Sequence, residues 1–99
     1  VQKIIDQAVA NDKWIAAICA APSILGHKGL LEGREAICFP GFEGELRGAE
    51  ISKSYVCQDG RFVTAKGAGA AVEFGLKLVE LLVGAQQAAA LKESIQCPA

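Results

Sequence analysis

The sequence predicts an α/β domain, and three segments support that prediction. Residues 14–18 (WIAAI) are apolar at every position, as expected of a strand that is covered on both faces in a parallel sheet. Two β-rich runs flank Asp59 and Gly60, a dipeptide favoured in two-residue hairpin turns. Residues 70–83 are apolar around most of a helical surface and predict a long helix.

The chain begins with an amphipathic helix. Its apolar residues recur at helical spacing, namely Val1, Ile4, Ile5, Ala8 and Val9. No capping residue precedes them, and the sequence contains no methionine. We therefore expect this chain to be a piece of a larger protein.

Cys19 stands where the predicted buried strand turns into a short helix, which residues 20–29 favour. A sharp strand-to-helix turn that projects one side chain is the geometry of a nucleophile elbow. Its neighbours Ala17, Ala20 and Ala21 are small enough for such a turn. The positive end of the helix favours a thiolate, so Cys19 is a candidate reactive thiol. The alternative is a buried structural cysteine.

The remaining elements follow from local patterns. Residues 34–39 predict a second strand, and residues 40–48 predict a loop with one helical turn. Residues 66–70 (KGAGA) form a glycine-rich loop that lacks the downstream GK[ST] of a phosphate-binding loop. The long helix carries Glu73 and Lys77 as an i,i+4 pair and ends at Gly84, and a final helix covers residues 85–95.

Composition limits the function classes. The chain has 99 residues, 52% of them hydrophobic, and a net charge of −1, which indicates one globular domain without a nucleic-acid or membrane surface. No apolar run approaches the ~20 residues of a membrane span, and no signal peptide is visible. Four dispersed cysteines predict reduced thiols rather than disulfides or a zinc site. We expect a cytoplasmic protein with no metal and no cofactor.

Several motifs together resemble one protein family. "AAICAAP" with "ILGHKGLLEG", the hairpin, and "KGAGAAVEFGLKLVELLVG" are similar to the ThiJ/PfpI superfamily, in particular to its Parkinsonism-associated, deglycase-like branch. The resemblance runs from Val1 to about Leu91. It implies a flavodoxin-like three-layer α/β sandwich, of the class I glutamine amidotransferase-like type, that forms a homodimer. It also implies that residues 1–99 are only the C-terminal half of one domain.

The resemblance implies a site as well. Cys19 would be the nucleophile, and the backbone N–H of Ala20 would form part of an oxyanion pocket. The N-terminal half of the domain, absent from this chain, would supply a glutamate that hydrogen-bonds the cysteine. This chain departs from the peptidase-like members, because Ala20 and Phe39 stand where relatives carry histidine. The only histidine, His27, lies eight positions beyond Cys19, or about 12 Å along a helix, too far for a Cys-His dyad.

The implied function is a cysteine-dependent, glutathione-independent glyoxalase or protein deglycase that acts on methylglyoxal-type dicarbonyls or glycated substrates. One alternative is a redox-sensing chaperone that works through oxidation of Cys19 to a sulfinate. The other is a cysteine peptidase or amidase of the PfpI type, which the missing histidines disfavour.

Overall fold

The structure, a computed structural model, describes residues 1–98 and has the predicted α/β class. The helices are α1 (Gln2–Ala10), α2 (Pro22–His27), α3 (Ala71–Leu82) and α4 (Ala85–Ser94), and the strands are β1 (Ile15–Ile18), β2 (Glu35–Ala36), β3 (Glu50–Ile51), β4 (Val56–Asp59) and β5 (Phe62–Ala65). Short 3₁₀ turns cover Glu43–Glu45 and Ala68–Ala70. The four predicted helices are confirmed, with ends that differ by a few residues.

The main sheet has the strand order β1-β5-β4. Strand β1 runs parallel to β5, from the pair Ile15–Phe62 to the pair Ile18–Ala65. The parallel pairing is confirmed, but the predicted coverage of both strand faces is wrong for this chain, because Ala16 is exposed and the other three residues are only partly buried. Among residues 1–98, no strand pairs with the opposite edge of β1, so the sheet ends there.

The hairpin is confirmed, but its turn lies one residue later than predicted. Asp59 pairs with Phe62, which leaves Gly60 and Arg61 as the two turn residues. Gly60 has a φ of 59°, the left-handed conformation that glycine adopts without strain. Asp59 remains in the strand, where its Oδ2 accepts the backbone N–H of Glu35 at 2.9 Å. The carboxylate therefore joins the hairpin to β2.

The second predicted strand is mostly wrong, because only Glu35–Ala36 of residues 34–39 forms a strand. Strand β2 pairs with β3, a two-residue strand that no hydrophobic run in the sequence predicts. Beyond Ala36 the bonding partners change, because the N–H of Ile37 donates to the side-chain Oγ1 of Thr64 at 3.0 Å. Residues 37–39 are therefore held by the Thr64 side chain and by the carbonyl of Cys19, which accepts the N–H of Phe39. They do not continue the β2–β3 pairing.

The core lies beneath α2 and the loop that follows it. Its buried residues are Leu25, Leu31, Ala36, Cys38, Leu46 and Phe62. On α3 the predicted ion pair is wrong, because Lys77 lies 3.7 Å from Glu80 rather than pairing with Glu73. Both partners are partly exposed, so solvent weakens either pairing and sequence spacing alone does not decide between them. None of the helices in the described part of the chain is both long and apolar enough to cross a bilayer.

Candidate functional site

Cys19 follows β1 directly and has a φ of 67°, which places a non-glycine residue in the left-handed region. Two hydrogen bonds fix its backbone. The N–H of Cys19 donates to the carbonyl of Ala65 at 3.0 Å, and its carbonyl accepts the N–H of Phe39 at 2.7 Å. A strained backbone persists where its surroundings hold it from more than one side, and such positions cluster at functional sites. The predicted sharp turn at Cys19 is confirmed.

The turn passes into α2 through Ala20 and Ala21. The N–H of Ala21 donates to the carbonyl of Ile18 at 3.2 Å, which closes the turn. Ser23 then donates twice to the carbonyl of Ala20, from its N–H at 3.1 Å and from its hydroxyl at 2.7 Å. Pro22 occupies the first helical position, where no N–H is required. Among residues 1–98, the N–H of Ala20 has no hydrogen-bond acceptor, so it is available to an oxygen of a ligand.

An open pocket of about 320 Å³ is lined by Phe39, Pro40, Tyr55, Lys66 and residues 67–70, and Cys19 is not among its lining residues. Its link to the turn is through the backbone. Phe39 donates its N–H to the Cys19 carbonyl, and Lys66 follows Ala65, which accepts the Cys19 N–H. Gly67 leaves room for the Phe39 ring, since a Cβ there would lie 3.3 Å from Phe39 Cδ1. At Gly69, by contrast, a Cβ would meet no atom within 4 Å, so the close approach in this loop is that of the Phe39 side chain to Gly67.

His27 is the last residue of α2, at the end away from Cys19. Its Nε2 lies 2.8 Å from Glu45 Oε1, and both side chains are about half exposed. The structure thus places His27 at a helix end, as predicted, and pairs it with a carboxylate of the neighbouring 3₁₀ turn. His27 lies at the far end of α2, and residue 20 is an alanine, so neither position places an imidazole beside the Cys19 sulfur.

The other cysteines occupy different environments, and all four are free thiols. Cys38 and Cys57 are buried, as predicted. Burial, with a smaller contribution from the charge of Glu43, raises the pKa of Cys38. Burial and then the charge of Glu35 raise the pKa of Cys57 to about 11. Cys19 and Cys97 are only partly buried.

These environments predict a fixed order of alkylation in the native protein. Only the thiolate reacts with iodoacetamide, and at about pH 8 a pKa of about 11 leaves roughly one Cys57 in a thousand ionised. We expect Cys97 to be alkylated well before Cys57 and Cys38, as measured by pulsed labelling and peptide mass mapping. Labelling of Cys57 should rise about tenfold per pH unit until the pH approaches its pKa.

Labelling in urea is the control for that order. Unfolding removes the burial that raises both pKa values, so the four cysteines should then react at similar rates. Native labelling of Cys57 as fast as Cys97 would contradict the packing described above.

Sequence reasoning missed Tyr55 and Lys66. The N–H of Lys66 donates to the carbonyl of Tyr55 at 2.9 Å, which places the residues opposite each other just beyond the hairpin ladder. The Lys66 ammonium lies 4.8 Å from the centroid of the Tyr55 ring. The hairpin register contained the signal, because counting outward from the pair Asp59–Phe62 leads to Tyr55 and Lys66.

Two further features of the chain are a second groove and the distribution of its possible metal ligands. A larger groove, of about 830 Å³, runs between α3 and α4 and contains Cys97, but none of its lining residues hydrogen-bonds to the Cys19 backbone. Within residues 1–98, no three or more His, Cys, Asp or Glu side chains are grouped to hold a metal ion.

Comparison with known proteins agrees with this architecture. The model of the DJ-1/PfpI family matches residues 1–81. Protein DJ-1 homolog B of Arabidopsis thaliana is 39% identical over 89 residues, which cover 88% of this chain and 20% of that protein. The Parkinson disease protein 7 homolog of Danio rerio is 33% identical over 95 residues, covering 93% of this chain and 50% of the relative.

A solved structure supports the same assignment. The structure of oxidized Toxoplasma gondii DJ-1 superposes with a TM-score of 0.89 at 33% identity, over 98% of this chain and 53% of the other. The fold is therefore the flavodoxin-like fold of these proteins, and this chain spans about half the length of that structure. With its family model matched over most of its length and its fold shared with these relatives, the chain belongs to the DJ-1/PfpI family.

Proposed function

We propose that the protein is a cysteine-dependent, glutathione-independent glyoxalase or protein deglycase that acts on methylglyoxal-type dicarbonyls. One observation carries the proposal. Cys19 is held at a φ of 67° at the end of a parallel strand, next to an Ala20 N–H that has no acceptor among residues 1–98. A nucleophile beside an unused backbone donor is the minimum arrangement for adding a thiolate to a carbonyl and stabilising the resulting oxyanion.

The proposed reaction needs no oxidant or reductant. The Cys19 thiolate adds to the aldehyde carbon of methylglyoxal, and the carbonyl oxygen becomes an alkoxide that the Ala20 N–H can bind. A base then moves the proton from that carbon to the neighbouring carbon through an enediol, which leaves a thioester. Water cleaves the thioester to lactate and releases the thiol. Lactate contains every atom of methylglyoxal and of one water molecule.

This reaction needs a proton-transfer group. We propose that it is a glutamate in an N-terminal half of the same domain, with this chain as the C-terminal half. The N–H groups of Ile15 and Cys19 face β5, so those of Ala16 and Ile18 face the open edge of β1. An open parallel edge in the middle of such a fold suits another strand, which the other half would supply.

We also propose that the complete protein is a cytoplasmic homodimer. Support comes from apolar side chains that lie on the surface of this chain. Ile4 is 70% exposed on α1, and Leu82 and Val83 are about two-thirds exposed at the end of α3. Large exposed apolar side chains of this kind mark surfaces that a partner covers.

The open edge and the exposed side chains predict different behaviour for the chain and for the complete protein. Residues 1–99 expressed alone should aggregate, since both features are then in contact with water. The complete protein should be a dimer at micromolar concentration. Size-exclusion chromatography with light scattering measures both, and a monodisperse, cooperatively melting monomer of residues 1–99 would contradict the expectation.

The activity itself separates the glyoxalase from the peptidase alternative. The complete protein should convert methylglyoxal to lactate without glutathione and leave casein intact, because residues 1–98 place no imidazole beside Cys19 to protonate an amine leaving group. Lactate can be measured enzymatically and casein cleavage by fluorescence release. Cys19-dependent cleavage of casein would reverse this ranking in favour of the peptidase or amidase.

The second candidate is a redox-sensing chaperone that works through oxidation of Cys19, and two observations favour it over the peptidase. Cys19 is only partly buried, so peroxide can reach it. The superposed Toxoplasma gondii protein is described as oxidized. If methylglyoxal is not turned over, and limited peroxide adds two oxygen atoms to Cys19 before any other cysteine, redox sensing replaces the glyoxalase as the function.

A further inference from the structure

We propose that the pocket beside the Cys19 turn is a specificity subsite that favours 2-oxoaldehydes whose substituent is an aromatic ring with a negative charge, and that Lys66 determines this preference. The inference rests on the proposed function, because the subsite serves the same cysteine. The pocket is lined by Phe39, Pro40, Tyr55, Lys66 and residues 67–70.

The position of the pocket follows from the backbone of the turn. Phe39 donates its N–H to the carbonyl of Cys19, and Ala65 accepts the N–H of Cys19. Phe39 is part of the pocket wall, and Lys66 is the residue directly after Ala65. Two walls of the pocket are therefore attached to the same peptide groups that hold Cys19. In this proposal, a substrate that adds to the thiol extends its second substituent along these walls.

The walls suit a flat apolar group. Phe39 and Tyr55 are 46% and 57% exposed, which is high for aromatic side chains. The volume of about 320 Å³ lies at the lower end of the range for small-molecule sites. Residues 67–70 add backbone and alanine methyl groups without long side chains, so the pocket stays open on that side. A ring fits these walls better than the single methyl group of methylglyoxal.

The charge preference comes from Lys66. Its ammonium lies 4.8 Å from the Tyr55 ring centroid, and among residues 1–98 no carboxylate lies within ion-pairing distance of it. Glu43 interacts with Lys66 only through its charge, and its Oε1 accepts the N–H of Gly41 at 2.8 Å. The backbone N–H of Glu43 and then that of Gly41 lower the Glu43 pKa, with a smaller contribution from Lys66. Lys66 therefore retains donors for an anionic ligand.

The pairing of the hairpin backbone determines where the Lys66 side chain begins. The N–H of Lys66 donates to the carbonyl of Tyr55 at 2.9 Å, so the two side chains start from opposed backbone positions. The ring then supports the ammonium from one side. A cation that is already held over an aromatic wall loses less freedom when an anion binds.

The test compares three substrates in the complete protein: methylglyoxal, phenylglyoxal and para-carboxyphenylglyoxal. The hydroxy-acid products are measured by chromatography, and Cys19→Ser provides the background from reactions with arginine side chains. We expect para-carboxyphenylglyoxal to have the highest kcat/KM. Lys66→Met should lower that value about tenfold relative to the value for methylglyoxal, as expected for loss of a hydrogen bond to a charged group. Lys66→Arg should restore most of the lost kcat/KM. The matched control is Lys3→Met, which removes the charge of an exposed lysine on α1.

The outcomes separate the two proposals. If methylglyoxal is turned over but Lys66→Met changes the three substrates equally, the subsite is wrong and the proposed function stands. If no substrate shows Cys19-dependent turnover, the proposed function fails, and the subsite is then tested by ligand binding alone. Terephthalate should then bind with chemical-shift changes at Tyr55 and Lys66, and binding should weaken in Lys66→Met. No binding, or equal binding to both proteins, would overturn the subsite.

Discussion

Replacing Cys19 with serine is expected to abolish methylglyoxal turnover and to leave the melting temperature nearly unchanged. The hydroxyl is a far weaker nucleophile than a thiolate, and no imidazole lies beside this position to activate it. Removal of a nucleophile that acts together with neighbouring catalytic groups lowers kcat at least about a thousandfold. Serine has nearly the volume of cysteine and keeps the backbone bonds to Ala65 and Phe39. Lactate formation and a thermal melt of the complete protein measure the two effects.

Cys97→Ser is the matched control for that experiment. Cys97 is also a partly buried free thiol, but it lines the groove between α3 and α4. Its replacement should leave turnover unchanged. Full activity in Cys19→Ser, or an equal loss in Cys97→Ser, would show that the turn at Cys19 is a packing feature and not a reactive site.

Local sequence patterns predicted the elements that depend on local interactions. Helix α3 shows a sustained helical period over twelve residues, and β1 is apolar throughout, so neither needs distant partners to be recognised. The turn at Cys19 was also predictable, because an apolar strand meets a run of small residues and a proline there. Its positive φ was not, since cysteine has no preference for that conformation and the tertiary bonds to Ala65 and Phe39 impose it.

The elements that were missed depend on contacts between distant segments. Strand β3 has two residues and exists because it pairs with β2 across an intervening loop. Ile37 leaves the expected strand because a threonine 27 positions away accepts its N–H. The pocket has the same origin, because Phe39 lies on a different stretch of the chain from the hairpin that carries Tyr55 and Lys66. The hairpin pattern predicts that Tyr55 and Lys66 are opposite each other, but no local pattern predicts that Phe39 meets them.

The largest effect on stability is expected at Gly26 in α2. A Cβ at this position would overlap the carbonyl oxygen of Glu45 and lie 2.7 Å from Leu46 Cα. Both atoms belong to the backbone, so no side-chain rotation can relieve the overlap, and Leu46 is itself buried in the core. Gly26→Ala should therefore lower the free energy of unfolding of the complete protein by about 2–3 kcal/mol, measured by urea denaturation.

Gly75 in α3 provides a control with the opposite expected sign. It is also a helical glycine, but a Cβ there would meet no atom within 4 Å. Alanine has the higher helix propensity, so Gly75→Ala should raise the free energy of unfolding by about 0.5–1 kcal/mol. The same propensity gain is present in Gly26→Ala, which means that only the close approach of α2 to residues 45 and 46 can reverse the sign. If both variants are stabilised, α2 does not pack against that 3₁₀ turn as described.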